Sequence, residues 1–318
     1  MVAARTTHHD GSMVARLGLV VHPTRDVAAS VAQVAAWAAA HDVEVVGDAA
    51  ASARLPAPVR PVDAAELAST CDALVSLGGD GTMLGALRMV VHRPVPVLGV
   101  NLGNLGFLVE VDPPELPAAL ARLAAKEFTL EPHPCLRITV DGAEHVAFND
   151  LALVRTPGTG MVGASLAVEG RRYGHYRADA VVVATPSGST AYSYAAGGPV
   201  VSPAADVLLV TPSAPAQGVA RPLVIAGEEG LELGLLPDSG AVSLEVDGTL
   251  VGALAPDGRV TVRRQRDAGQ VVRLDAHAHQ GIRTLKLSLL DLPLLPEELR
   301  QLIPGDVTQA RERYRSAL

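Results

Sequence analysis

The chain has 318 residues, 48% of them apolar and only 3% aromatic, enough for two domains whose cores are packed from small and branched side chains. Lysine and arginine number 26 against 34 acidic residues, a formal charge of −8, so no basic field exists to attract nucleic acid or an anionic membrane. The two cysteines, Cys71 and Cys135, lie within or beside apolar runs and read as buried free thiols, not as a disulfide framework.

In chain order, Met1–Ser12 is polar and lacks the apolar core of a secretory signal. It is expected to be disordered, with Met13 as the natural start of a cytoplasmic protein. No apolar run elsewhere approaches a membrane span. Leu17–Val21 predicts a strand, Asp26–His41 an Ala/Val-rich helix around Trp37, and Val43–Val46 a second strand. A connector with Pro56, Pro58 and Pro61 leads to a short helix at Ala64–Ser69. Ala73–Leu77 predicts a strand that runs into Gly78-Gly79-Asp80-Gly81, followed by a helix from Thr82 to about Val91 and a strand at Val97–Val100. This βαβ alternation predicts a parallel sheet covered by helices, over residues 13–126.

Past Lys126 the texture changes. Short strands rich in Val, Leu and Thr are separated by Asp141-Gly142, Glu169-Gly170, Asp247-Gly248 and Asp257-Gly258, which predicts antiparallel β structure over residues 127–290. Pro296–Ala317 reads as helical again, interrupted near Pro304-Gly305, so residues 291–318 are expected to pack back on the first domain.

The segment from Ala73 to Thr82 carries the first chemistry. Glycines tolerate positive φ and let a phosphate approach backbone N–H groups. The helix start adds unpaired donors and a positive dipole end, and Thr82 can cap that helix or bond a phosphate oxygen. Asp80 does not suit a plain anion cradle. A carboxylate among phosphates is repulsive unless it holds a cation or takes a proton from an attacking hydroxyl, and both roles belong to phosphoryl transfer. The ordinary alternative is a tight turn with Asp as a local cap. The pattern is neither the Walker loop nor the dinucleotide fingerprint.

Four further segments make the reading specific: Leu98–Leu108 (Leu-Gly-Val-Asn-Leu-Gly-Asn-Leu-Gly-Phe-Leu), Phe148-Asn149-Asp150, Asp179–Tyr192 followed by Ala196–Pro203, and Glu245-Val-Asp-Gly248. In this order and spacing the chain, from about Leu17 onward, resembles the NAD kinase family. The Thr185–Tyr192 stretch is the most specific part. The resemblance implies a Rossmann-like α/β N-terminal domain, an all-β sandwich-like C-terminal domain and a substrate cleft between them. It implies homodimers or homotetramers whose interface contributes to the site. It also implies phosphate transfer from ATP or polyphosphate to the 2′-hydroxyl of the adenosine ribose of NAD, giving NADP, with a divalent metal, Mg2+.

Carried over by position, Asp80 is the catalytic acid, as base or metal organiser. Gly78, Gly79, Gly81 and Thr82 form the phosphate turn, and Asn101, Gly103 and Phe107 come from the glycine-rich loop after the next strand. Asn149 and Asp150 would bind the adenine and a ribose, Thr190, Ala191 and Tyr192 would line the adenine pocket, and Asp179 would reach the acceptor from the neighbouring subunit. Asp247 completes the set. An amide pairs with an adenine edge, a carboxylate accepts from a ribose diol, and the Pro186-Ser187-Gly188 turn offers Ser187 to polar ligand atoms.

Three positions depart from the family pattern. Ala180 follows Asp179 where the family has Gly, Ala195 stands for Ser, and Pro215-Ala216-Gln217-Gly218 replaces Pro-His-Ser-Leu before Arg221-Pro222-Leu223, placing Ala216 at the His position. The reading is an NAD kinase. The alternatives are a paralogue phosphorylating another nucleoside, nucleotide or sugar-like hydroxyl compound, and a non-catalytic dinucleotide-binding regulator. A lipid kinase would want a basic or apolar membrane-facing surface. No Gly-x-Ser-x-Gly elbow supports a hydrolase, and no dedicated metal site is read from His277-Ala-His279. Arg171-Arg172-Tyr173 and Arg263-Arg264-Gln265-Arg266 read as exposed strand residues.

Overall fold

The computed structural model describes residues 14–103, 106–276 and 279. Met1–Ser12, Asn104, Leu105, His277 and the stretch 291–318 lie outside the described residues. Close packing divides the described residues into two units, one built on residues 14–89, 95–103, 106–131, 271–276 and 279, the other on 90–94 and 132–270.

The N-terminal unit runs β1 (Arg16–Val21), α1 (Ala28–Ala40), β2 (Glu44–Asp48), β3 (Arg60–Val62), α2 (Ala64–Thr70), β4 (Ala73–Gly78), α3 (Asp80–Met89), β5 (Pro96–Asn101) and α4 (Leu116–Ala124). Its five strands pair in parallel in the order β5-β4-β1-β2-β3. β4 is buried along its whole length, as a central parallel strand covered on both faces must be. The apolar Leu17, Leu19, Val75, Leu77, Leu98 and Val100 pack against Val31, Val34 and Trp37 of α1 and Leu116, Leu120 and Leu123 of α4. Two elements had no expectation: β3, hidden in the proline-rich connector, and α4, whose prolines at 113, 114 and 117 sit before or in its first turn, where a missing N–H costs nothing.

The C-terminal unit holds β6 (Thr129–Val140), β7 (Ala143–Ala147), β8 (Asp150–Arg155), β9 (Val162–Val168), β10 (Arg171–Ala178), β11 (Ala180–Ala184), α5 (Tyr192–Ala195), β12 (Val207–Ser213), β13 (Gln217–Gly218), β14 (Leu223–Ala226), β15 (Leu231–Leu235), β16 (Val242–Val246), β17 (Thr249–Leu254) and β18 (Arg259–Arg273), whose last three residues return to the first unit. One antiparallel sheet has the order β14-β12-β11-β8-β16-β17, and β13-β10-β9-β15-β18 form the other. Alternate residues of both sheets meet in one core: Leu151, Leu153, Val181, Val183 and Leu244 from the first, Ala164, Leu166, Leu233 and Val260 from the second. That is a sandwich. Three of the four expected Gly turns are tight hairpins with both residues at positive φ, Asp141-Gly142, Glu169-Gly170 and Asp247-Gly248. At Asp257-Gly258 only Asp257 has positive φ, because the connection is four residues long and relieves the glycine.

Candidate active site

β4 ends at Gly78 and α3 begins at Asp80, so strand passes to helix through Gly79 alone. Two expectations are corrected here. The helix does not start at Thr82; that residue sits in the first turn with its N–H on the Gly79 carbonyl at 3.0 Å, and cannot cap. None of Gly78, Gly79 and Gly81 has positive φ, because the helical path is entered directly. Their absent side chains matter instead. A Cβ on Gly78 would lie 2.1 Å from Thr82 Oγ1, while Gly79 and Gly81 face open space. Both border a cavity of about 580 Å3, whose wall includes His22, Arg25, Asp80 and Gly106. Space that the protein leaves empty beside N–H groups at a helix start suits a phosphate.

Asp80 is fixed from across the cavity. Its Oδ2 accepts the Phe107 N–H at 2.8 Å and its Oδ1 the Leu108 N–H at 3.0 Å. Phe107 thus serves through its backbone. Gly106 was absent from the expected set, yet a Cβ there would stand 2.2 Å from Asp80 Oδ1. Asn101 is spent on its own loop: Oδ1 accepts the Gly103 N–H at 3.1 Å and Nδ2 lies 3.4 Å from Asp112 Oδ1. Gly103 makes room for Arg25, whose Nη1 would be 1.3 Å from a Cβ at that position and donates to the Leu102 carbonyl at 2.7 Å.

His22 and Arg25 were also missed. His22 Nδ1 accepts the N–H groups of Thr24 at 3.2 Å and Arg25 at 3.1 Å, which puts the proton of the neutral ring on Nε2. Burial, then the charges of Arg25 and Arg54, hold this histidine below its ordinary pKa and keep it neutral. Arg54 braces the loop by donating to the carbonyls of Pro23, at 3.0 Å, and Arg25. These residues owe their place to the strand order. β1 and β4 are adjacent parallel strands with Val21 paired to Leu77, and ligands of such sheets sit beyond the strands' carboxyl ends.

The second cluster lies within the sandwich. Asp247, at the β16–β17 hairpin, accepts the N–H groups of Phe148 (3.1 Å), Asn149 (2.7 Å) and Asp150 (3.2 Å). The buried Thr185 hydroxyl donates to the Phe148 carbonyl at 2.7 Å and accepts from Gly188 N–H at 3.0 Å. Gly188 is required, since a Cβ there would fall 2.1 Å from the Asn149 carbonyl oxygen. Together these bonds hold Asn149 and Asp150 beside the 310 turn Ser187–Thr190. Ala191 then leads into α5, which is anchored by a buried hydroxyl pair, Ser193 Oγ to Thr211 Oγ1 at 2.9 Å, and so presents Tyr192. The Tyr192 N–H donates to Asp150.

Asp150 is 3% exposed. Burial first, then Asp247, push its carboxyl from 3.8 to about 7, with Glu245 adding to the rise and the Tyr192 N–H opposing it. The Tyr192 phenol is raised too, by burial and then by Glu245, Asp150 and Asp179. Asp179 itself is half-exposed and paired with Arg155 at 2.7 Å. Of the departures, Ala180 is buried in β11, while Ala195 and Ala216 are exposed. Among the described residues no group of three or more His, Cys, Asp or Glu is gathered for a metal ion, and no helix is long and apolar enough to cross a membrane.

A cavity of about 580 Å3 at a helix start beside a pinned carboxylate, joined in one chain to a sandwich bearing an amide, carboxylates and a phenol, defines a phosphotransferase that uses a hydroxyl acceptor. Residues 17–128 match the ATP-NAD kinase N-terminal domain and residues 148–274 the ATP-NAD kinase C-terminal domain. A NAD kinase of Desulforamulus reducens is 36% identical over 254 residues, covering 78% of this chain and 88% of the relative. That of Symbiobacterium thermophilum is 40% identical over 222 residues, 68% and 78% of the two chains. Among solved structures, yeast NADH kinase complexed with NADH superposes with TM-score 0.72 at 25% identity, over 83% of this chain and 84% of that one. An Archaeoglobus fulgidus NAD kinase in complex with ATP gives 0.67 at 25% identity, over 87% and 100%. The chain belongs to the NAD kinase family.

Proposed function

We propose that this enzyme transfers the terminal phosphoryl group of ATP to the 2′-hydroxyl of the adenosine ribose of NAD, giving NADP and ADP. The bond between the γ-phosphorus and its bridging oxygen breaks, a bond from the ribose 2′-oxygen forms, and the hydroxyl proton passes to the Asp80 carboxylate. The observation that carries this is Asp80 itself. It is the carboxylate in the wall of the cavity, and two backbone N–H groups fix its plane. Gly79 and Gly81 give phosphate oxygens access to the start of α3, and the neutral His22 and cationic Arg25 add donors and positive charge.

On the acceptor side, Asn149 would read the adenine edge, Asp150 would accept from a ribose hydroxyl, and Ser187, Thr190, Ala191 and Tyr192 would line the base. Asp247 acts beneath them by holding the 148–150 backbone. Asp179, half-exposed, would contact the acceptor bound by a second copy of the chain in a homo-oligomer. A divalent metal would arrive with ATP, held by phosphate oxygens and water, since no acidic cage gathers for it among the described residues. Once bound it supplies charge neutralisation at the phosphates. The proposed compartment is the cytoplasm, where both nucleotides are present.

Asp80→Asn keeps the shape and removes the base. Turnover, read as NADP formation with magnesium and ATP, is expected to fall by at least about a thousandfold with nucleotide binding retained. Unchanged turnover would remove Asp80 from the chemistry. A panel of NAD, NADH and simple nucleosides, run with the native enzyme, identifies the acceptor, and preference for a nucleoside would displace NAD.

A further inference from the structure

Arg273 is an arginine almost wholly buried, its side chain 3% exposed. It ends β18 on the far side of the loop that holds Asp80. Its Nη1 donates to the Leu108 carbonyl at 2.9 Å and its Nη2 approaches the Phe107 carbonyl at 3.4 Å. Those carbonyls sit next to the N–H groups of Phe107 and Leu108 that grip the Asp80 carboxylate. The Phe107 carbonyl and the Leu108 N–H belong to one peptide group, so the guanidinium pulls on the oxygen of the amide whose hydrogen points at Asp80. Hydrogen bonds at the two ends of a peptide polarise and strengthen each other.

The arginine is aimed by two acids. Glu131 lies 2.5 Å from Nε and Glu110 3.5 Å from Nη1. Glu110 is itself seated by the N–H groups of Leu274 at 2.6 Å and Asp275 at 2.8 Å. Burial pushes its carboxyl up, while the Asp275 N–H, Arg273 and the Leu274 N–H hold it down. Such an ion-pair group is a costly way to fill a core, and apolar residues of similar size would serve stability as well or better. What only a planar, multidentate donor does here is fix two successive carbonyls, one of them in the peptide group whose Leu108 N–H holds Asp80, and with them the backbone that presents the Phe107 N–H.

We propose that Arg273, oriented by Glu110 and Glu131, is a positioning residue for phosphoryl transfer: it sets the 106–108 loop so that two N–H groups hold Asp80 in its reactive orientation. This rests on the assignment of Asp80 as the proton acceptor. No contact with either nucleotide is required of Arg273, so its loss acts on turnover rather than on binding.

Arg273→Lys keeps the charge between the two acids but cannot reach both carbonyls, and Arg273→Gln keeps a planar donor without charge. Each is assayed for NADP formation, with turnover counted per folded molecule from the fraction that melts cooperatively. The expected result for Arg273→Lys is a kcat lowered at least about tenfold, with KM for NAD and for ATP within twofold of the native values. A wild-type kcat per folded molecule in both variants, however far Tm falls, would show a purely structural arginine and overturn the proposal. Because Asp80→Asn is read separately, a native kcat in the Arg273 variants beside a dead Asp80→Asn enzyme sinks this inference alone. An active Asp80→Asn enzyme sinks the functional reading beneath it.

Discussion

Gly106 and Asp80 show how one missing methyl group serves chemistry. A Cβ at position 106 would press on Asp80 Oδ1 at 2.2 Å and on Val109 Cγ2 at 2.7 Å, and Asp80 cannot retreat without giving up the two amides that follow. Gly106→Ala is therefore expected to swing the carboxylate from its setting. Misplacement by about 1 Å can cost on the order of a hundredfold in rate, so kcat should drop tenfold or more while the protein still melts cooperatively. A variant with native kcat would mean that the carboxylate's orientation is unimportant. By contrast a Cβ at Gly79 or Gly81 would meet no protein atom within 4 Å, so the fold does not require their small size and the proposed phosphate site does.

At the scale of elements, the proposed acceptor site is a set of loops tied at their bases. Thr185, the residue after β11, joins the Phe148 carbonyl to the Gly188 N–H, and Asp247 from a hairpin tip collects three consecutive N–H groups. The backbone around Asn149 and Asp150, the proposed acceptor contacts, is thus held by the side chains of Thr185 and Asp247. Thr185→Val preserves the shape but leaves a buried donor and acceptor unmatched, at a cost of about 1–3 kcal/mol. Chemical denaturation should report that loss. Steady-state kinetics should show KM for NAD rising several-fold with KM for ATP unchanged; an unchanged KM for NAD would mean that the turn does not form the acceptor pocket.

For the whole molecule, one buried acid sets a pH dependence of stability. Asp150 has its folded pKa raised from 3.8 to about 7. Below pH 4 it is protonated folded or unfolded, and contributes no pH dependence. Between about pH 4 and 7 the folded state keeps a proton that the unfolded chain releases, so stability falls as pH rises, by up to about 1.4 kcal/mol per pH unit from this group. Above 7 both states are ionised and the full penalty is present. Asp150→Asn should flatten this slope in melts recorded from pH 5 to 8, and an identical slope in the variant would show that another group carries it.

The Gly78-Gly79-Asp80-Gly81 turn, the parallel strands around it and the tight hairpins were legible from sequence, because glycine placement, apolar runs and Asp-Gly or Glu-Gly pairs are local physics. The family followed from the Thr185–Tyr192 stretch, where spacing and residue type are both unusual. His22, Arg25, Gly106 and Arg273 were not legible as site residues. Each acts through a partner between 26 and 166 positions away or through the arrangement of strand ends, and no local pattern records such distances. The sequence by itself determined that a carboxylate stands among glycines after a buried strand. Only the tertiary structure decided where that carboxylate points, because its direction is set by amides of a separate loop and by a buried cation that the chain delivers from its far end.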